Sequence, residues 1–346
     1  MGTEPTADMT VEQWDSKYFE DFVNADWFKK FTSTEQNAMI HVKEELVDKP
    51  GNKIHLTLVN ELIENPLGQN DLYEGSEKSV VMRDFSIEIN EYGMPLKFKE
   101  FEQKKTPISL RQVNKGALQT WNKKLHRDKI IAAMTDFYGT DNVTKPLTAR
   151  LINGVTVAAA SETIKDEWLG LNLDRVLFGA LLGNTSTTDH SASLANIDAT
   201  ADKLTPEAID LMKYMAKHPT TGKPKVRPME PRSSIDTSDG YVLFAPSLCL
   251  RDLRNNAQFQ QANREARERG TDNPIFKAAN YIWGNVAIYD IEEMPILTGV
   301  GASSIDVGVC KLMGAQAIGV AWGKRPKTVT KALDYDRFEG MAIMQW

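Results

Sequence analysis

The residue types that do chemistry are present in this chain, but their spacing does not make them converge. His41, His55, His126, His190 and His218 are scattered, and no two share the helical spacing that would aim a pair of imidazoles at one metal ion. Each reads as an ordinary surface or core histidine. Cys249 and Cys310 are far apart in sequence and suggest neither a disulfide framework nor a zinc knuckle; they read as two buried thiols. Gly222–Lys223 looks like the end of a phosphate-binding loop, yet Lys217 stands where that loop needs its first glycine and Pro224 where it needs a hydroxyl. Gly299, Gly301 and Gly308 lack the dinucleotide-binding spacing, and residues 236–240 lack the spacing and terminal Glu of a calcium loop. Asp189–His190 supplies half of a nucleophilic relay, with no glycine-flanked Ser or activated Cys to complete it. No catalytic, metal-ligating or cofactor-binding residue is assigned, no cofactor is expected, and an enzyme has no residues to stand on.

A different chemistry, that of adhesion, is better supplied. Residues 64–79 are polar and carry Pro66, Gly68 and Gly75, a length and composition that predict an extended loop rather than a tight turn. Leu67, Leu72 and Tyr73 lie inside it, where apolar side chains serve a solvated loop poorly and serve well as anchors on another chain. Glu64, Asp71, Glu74 and Glu77 make the tip acidic, so the complementary surface should offer Lys or Arg, which sets register more than affinity. Near the start of the chain, Trp14, Tyr18 and Phe22 recur at four-residue spacing after a polar stretch, and Trp27, Phe28 and Phe31 follow. Such aromatic density needs a surface, in this subunit or in a neighbour.

These anchors need elements to hold them. Ile54, Leu56 and Leu58 alternate with polar residues, as do Phe85, Ile87 and Ile89, so two half-buried strands should flank the loop. Leu96 and Phe98 alternate in the same way before the longest signal in the chain. Residues 106–139 open with Thr106–Pro107, carry Leu110, Val113, Ala117, Trp121 and Leu125 along one stripe, and end at Gly139, which predicts one long spine helix with Trp121 largely buried. Residues 158–169 and 173–182 are apolar enough for buried helices, and residues 183–202 read as a loop at a domain boundary. Thr205–Pro206–Glu207 repeats the start signal, with Ile209, Met212 and Met215 along one face of the helix it opens. Ser247 should cap a further helix that continues through residues 255–269 to Gly270. Residues 241–244, 282–283, 286–288 and 318–322 read as strands of a central sheet.

At 346 residues with 41% hydrophobic and 25% charged composition, the chain can bury a sizeable core in two or three domains. The net charge of −6 argues against a dedicated nucleic-acid binder, which needs a basic stripe. No apolar run reaches the length that crosses a bilayer, and the first ten residues lack a signal core, so synthesis and assembly in the cytosol are expected.

The order of these elements, an aromatic arm, an extended two-stranded loop, a spine helix and then an α/β unit without an active site, resembles the Hong Kong 97 fold of tailed-phage major capsid proteins. Four segments are similar to the major capsid family of Schitoviridae-type podoviruses: residues 39–58, residues 105–111 with Thr-Pro-x-x-Leu-Arg, residues 273–286 with Asn-Pro-Ile-Phe and Trp-Gly-Asn-Val, and residues 312–323 with Met-Gly-Ala-Gln-Ala and Ala-Trp-Gly. The resemblance implies an α+β fold divided into an arm (1–38), strands with the extended E-loop (39–104), a peripheral domain holding the spine (105–202) and an axial domain with C-terminal return strands (203–346). It implies a structural protein that self-assembles as hexamers and pentamers into an icosahedral shell around double-stranded DNA in the host cytoplasm, with portal and scaffolding partners and no membrane. Leu67, Asp71, Leu72, Tyr73, Glu74 and Glu77 would then make E-loop contacts between subunits, and Trp14, Tyr18 and Phe22 the arm contacts. A nanocompartment shell of the same fold is the alternative, and a cytosolic α/β enzyme a third.

Overall fold

The computed structural model describes residues 28–35, 37–44, 51, 53–59, 66–68, 72–77, 79, 82–136, 140–141, 145–146, 160–219, 225–229, 240–267 and 281–346. Among them the fold is α+β. Its centre is a four-stranded sheet in the order Lys311–Met313, Tyr241–Ala245, Val286–Asp290, Tyr281–Trp283, with the two middle strands parallel. Tyr241–Ala245 is buried at all five positions, because both faces of the sheet are covered, which is why this strand reads as a continuous apolar run rather than an alternation.

One face carries Val242, Phe244, Tyr289 and Met313, packed with Phe28, Phe31, Met39 and Ile40 and with Ile131 and Met134 from the end of the spine helix. Tyr241, Leu243, Ala245, Val286 and Ile288 face the other way, onto Ile209 of helix Pro206–Lys217, Leu250 and Leu253 of helix Ser247–Asn255, and Phe259 of helix Ala257–Arg267. The Thr205–Pro206 start signal works as expected, with the Thr205 hydroxyl accepting from the Ala208 N–H at 3.3 Å. Gly314 lets two segments close: a Cβ there would lie 1.9 Å from the Arg227 carbonyl, which accepts the Ala315 N–H at 2.8 Å.

The spine helix is Leu110–Thr135, about 39 Å long at 1.5 Å per residue. It begins three residues later than Thr106 predicts. Helix Glu100–Lys105 already occupies the preceding turn, and Thr106, extended as a residue before proline tends to be, joins the two. Ser109 is the cap, and the Gln103 side chain accepts the Leu110 N–H at 2.7 Å while donating to the Ile108 carbonyl at 3.0 Å. The helix ends at Thr135, where Asp136 turns extended; Gly139 lies outside the described residues. The buried residue of its middle is Leu118 rather than Ala117, which is exposed, and Trp121 is half-buried against Leu118, Met341 and Ile343. A stripe of three- and four-residue spacings admits either neighbour, and the larger side chain reaches the sheet.

That sheet is three-stranded: Phe338–Gln345 lies between Lys327–Leu333 and Tyr92–Lys99, antiparallel to both. The spine thus bridges it to the central sheet. A third sheet pairs Ile318–Ala321 with Ile40–Lys43 in parallel, with Thr32–Ser33 at its far edge. This corrects the expectation that residues 318–322 belong to the central sheet; an apolar run specifies burial and leaves the partner open. Three local readings also change. Residues 173–182 form no α-helix, the segment 183–202 contains helix His190–Ala195, and the stretch after Ser247 breaks at Asn256 into two helices. Pro246, not Ser247, stands at the cap position, because the Ser247 hydroxyl donates to Asp290 at 2.7 Å instead.

Candidate assembly surfaces

Strands Lys53–Val59 and Met82–Glu88 pair antiparallel from Lys53↔Glu88 to Val59↔Met82, as their alternation predicts. At the root of this ribbon Ile54 is buried and strand Met82–Glu88 runs against Ile318–Ala321. Its far end is different: the closing pair Val59 and Met82 is 63% and 65% exposed. Beyond it, residues 72–77 form a turn closed by Ser76 N–H to the Tyr73 carbonyl at 3.1 Å and by Gly75 N–H to the Glu77 carboxylate at 2.8 Å. Gly75 has φ +85°, a conformation that L side chains resist. The turn presents Leu72 and Tyr73 at 81% and 71% exposure, beside exposed Glu74 and Glu77. Leu67 is also exposed, and Asp71 lies outside the described residues. Val59 and Met82 were missed by sequence reading, because an apolar pair at the end of an alternating strand looks like any other pair facing a core.

Trp14, Tyr18 and Phe22 lie outside the described residues. Phe28 and Phe31, which follow them, are anchored in the chain's own core. Phe28 and Phe31 meet Phe244 edge-on at 5.4 and 5.5 Å, Phe31 meets Tyr289 at 5.1 Å, and the Lys30 ammonium lies 4.0 Å from the Tyr289 ring centre. The open question of which subunit these aromatics need is answered for Phe28 and Phe31. A second exposed tip, also unforeseen, joins the two last strands: Asp334, Tyr335 and Asp336 all have positive φ, and Tyr335 is fully exposed.

Charged groups tie the spine to its surroundings. Arg127, with a side chain only 10% exposed, donates to Glu293 at 2.5 Å and to Asp128 at 2.9 Å, and Arg111 reaches Glu339 on the C-terminal strand at 3.2 Å. His126 donates from Nε2 to the Gln345 side-chain oxygen at 2.7 Å and packs on Trp322.

At Asp189–His190 the carboxylate is engaged by the backbone of the helix it precedes. Asp189 caps the six-residue helix by accepting the Ala192 N–H at 2.8 Å, and Asp166 and Glu162 accept the N–H groups of His190 and Ser191 at 2.8 and 3.1 Å. These three carboxylates gather within 4.8 Å of one another because that helix end offers free donors. The His190 ring packs edge-on against Phe178 and Trp168.

Burial lowers the pKa of both His126 and His190, opposed by the Gln345 hydrogen bond for the first and by neighbouring carboxylates for the second. A buried neutral imidazole means that the unfolded chain binds protons more readily than the folded one. Stability is therefore fully present above the ordinary imidazole value of 6.5 and is lost as the pH falls through it toward the folded values. A thermal scan at about pH 5.5 should give a lower Tm than one at about pH 7.5, and His190→Gln should flatten that dependence; a slope identical to the parent's would remove His190 from the account.

Comparison with known proteins agrees with this architecture. The family model described as phage capsid protein matches residues 5–340. The major capsid protein of Pseudomonas phage KPP25 is 23% identical over 357 aligned positions, covering 97% of this chain and 88% of that protein. Among solved structures, the cyanophage Pam1 capsid subunit superposes with a TM-score of 0.84 at 22% identity, over 99% of this chain and 92% of that one. The Ralstonia phage GP4 capsid follows at 0.71 and 20% identity, over 98% and 90%. The fold is the Hong Kong 97-like fold, and the chain belongs to the phage capsid protein family, as a major capsid protein that forms the shell of a tailed phage.

Proposed function

We propose that the ribbon formed by Lys53–Val59 and Met82–Glu88 is the E-loop through which one subunit of the shell grips the next. The observation that carries this reading is the exposure of Leu72 and Tyr73 at its tip. A two-stranded ribbon alone is marginal in water, so a ribbon that ends in exposed apolar side chains needs a second surface. Leu67, Asp71, Leu72, Tyr73, Glu74 and Glu77 make that contact, and Trp14, Tyr18 and Phe22 make another from the arm that starts at the anchored Phe28. The copies close as hexamers and pentamers of an icosahedral shell, assembled in the host cytoplasm with portal and scaffolding proteins and without catalytic activity. The division into arm (1–38), E-loop region (39–104), peripheral domain (105–202) and axial domain (203–346) belongs to the same reading.

The shell encloses double-stranded DNA without sequence-specific binding. A net charge of −6 suits that role, since each neutralising phosphate contact would add salt-dependent affinity and hinder packaging and release. Lys225 and Arg227 are exposed, with the uncharged Val226 and Pro228 as their neighbours. Negative-stain electron microscopy of the expressed chain tests the proposal. Shells, sheets or tubes are expected; small closed oligomers at every concentration would overturn it.

A further inference from the structure

Cys249 and Cys310 are distant in sequence and adjacent in the fold. Cys249 is in the first turn of helix Ser247–Asn255, its N–H donating to the Pro246 carbonyl at 3.0 Å. Cys310 immediately precedes strand Lys311–Met313, whose antiparallel register, Lys311↔Phe244, returns the chain to the end of Tyr241–Ala245, where the chain turns into that helix. Strand start and helix start therefore meet. The two thiols pack against the same apolar cluster and are close enough to shift each other's titration. Gly308 completes the arrangement: a Cβ there would lie 2.5 Å from the Cys249 sulfur, so only glycine leaves the sulfur its space.

The two sulfurs differ in reactivity. Its neighbour Cys310 and the Gly308 backbone hold the Cys249 thiol below its ordinary value, whereas the same contact and partial burial push Cys310 up. Cys249 also sits in the first turn of helix Ser247–Asn255, where the free backbone N–H groups favour a thiolate, and this makes it the nucleophile of the pair. Both line a cavity of about 1290 Å³ bounded also by Val309, Lys311 and Leu248, which gives a small oxidant room to approach.

We propose that Cys249 and Cys310 form a reversible intrachain disulfide that staples the start of helix Ser247–Asn255 to strand Lys311–Met313 when the protein passes from reducing to oxidising surroundings. With a low-molecular-weight disulfide as oxidant, the Cys249 thiolate attacks one of its sulfurs and releases the first small thiol. Cys310 then loses its proton and attacks the Cys249 sulfur, forming the protein S–S bond and expelling the second. Two protein thiols are oxidised by two electrons, the oxidant is reduced to two thiols, and these carry away the two protons. The cytosol keeps such pairs reduced and an extracellular medium does not, so the staple closes after release. It closes a loop of about 60 residues, which constrains the unfolded chain.

The test uses the full-length chain, incubated with oxidised glutathione or with dithiothreitol, then denatured and alkylated with a maleimide. After oxidation neither cysteine should take up maleimide, a protease digest should contain one cross-linked peptide joining Cys249 to Cys310, and the Tm should rise by roughly 5–10 °C over the reduced protein. Cys310→Ser should leave Cys249 as a mixed disulfide with glutathione, whereas Cys249→Ser should leave Cys310 unreacted. Full maleimide labelling after oxidation, or a cross-link between two subunits in place of the intrachain one, overturns the proposal. The digest of the unmutated protein decides the question even if neither variant folds, and it reads the pair independently of whether shells form.

Discussion

Removing residues 65–78 and closing the gap with a short Gly-Ser linker should leave a folded, soluble subunit that forms no shells. The reason lies in where the apolar surface of the ribbon goes. Within one subunit Leu72, Tyr73, Val59 and Met82 all point into solvent, so the tip contributes little to the stability of the fold. On a neighbouring subunit each could gain up to about 1.5–3 kcal/mol on full burial, minus the cost of ordering the loop. A loss of that size, repeated at every contact of a shell, outweighs any rim ion pair of Glu74 or Glu77, each worth about 0–1 kcal/mol. The double substitution Leu72→Ser, Tyr73→Ser should act in the same direction, raising the concentration needed for assembly by about a hundredfold or more. Electron microscopy and sedimentation read the outcome. Normal shells from the deletion would refute the assembly role, and an unfolded subunit would show that the loop folds back on its own chain.

Phe244→Ala should cost about 3–5 kcal/mol of subunit stability, by lost transfer energy and by the cavity it leaves. Phe244 is 1% exposed and is the ring on which both Phe28 and Phe31 rest edge-on, with Tyr289 beside it at 6.0 Å. Its removal also loosens the point from which the arm departs, so arm contacts should suffer together with the fold. Denaturant titration gives the measurement, and Tyr335→Ala supplies the control, since a fully exposed residue should shift stability by no more than about 0.5 kcal/mol. Equal midpoints for the two variants would show that the aromatic cluster is not part of the cooperative core.

Signals carried by near neighbours in the chain were legible without the fold. Thr205–Pro206 starts a helix because its hydroxyl reaches an N–H three residues on, and the strands flanking residues 60–81 show themselves because a side chain's face depends only on its parity. The chemistry-bearing residues that do not converge in sequence, and the apolar anchors inside an acidic loop, likewise directed attention to adhesion rather than catalysis. What remained hidden depended on partners far along the chain. Ile318–Ala321 pairs with Ile40–Lys43 rather than with the central sheet, Ser247 gives its hydroxyl to Asp290, and Gln103 and Ser109 displace Thr106 as the start of the spine. Cys249 meets Cys310 only because a strand register returns one to the other. Local propensity is set by the backbone and side chains within a few residues, so the sequence by itself determined the two strands of the ribbon, the helix that Thr205 opens and the polar loop in which Leu72 and Tyr73 stand exposed. Strand pairing, the buried face of the spine and the meeting of the two thiols follow from which apolar surfaces cover each other, and that only the tertiary structure decided.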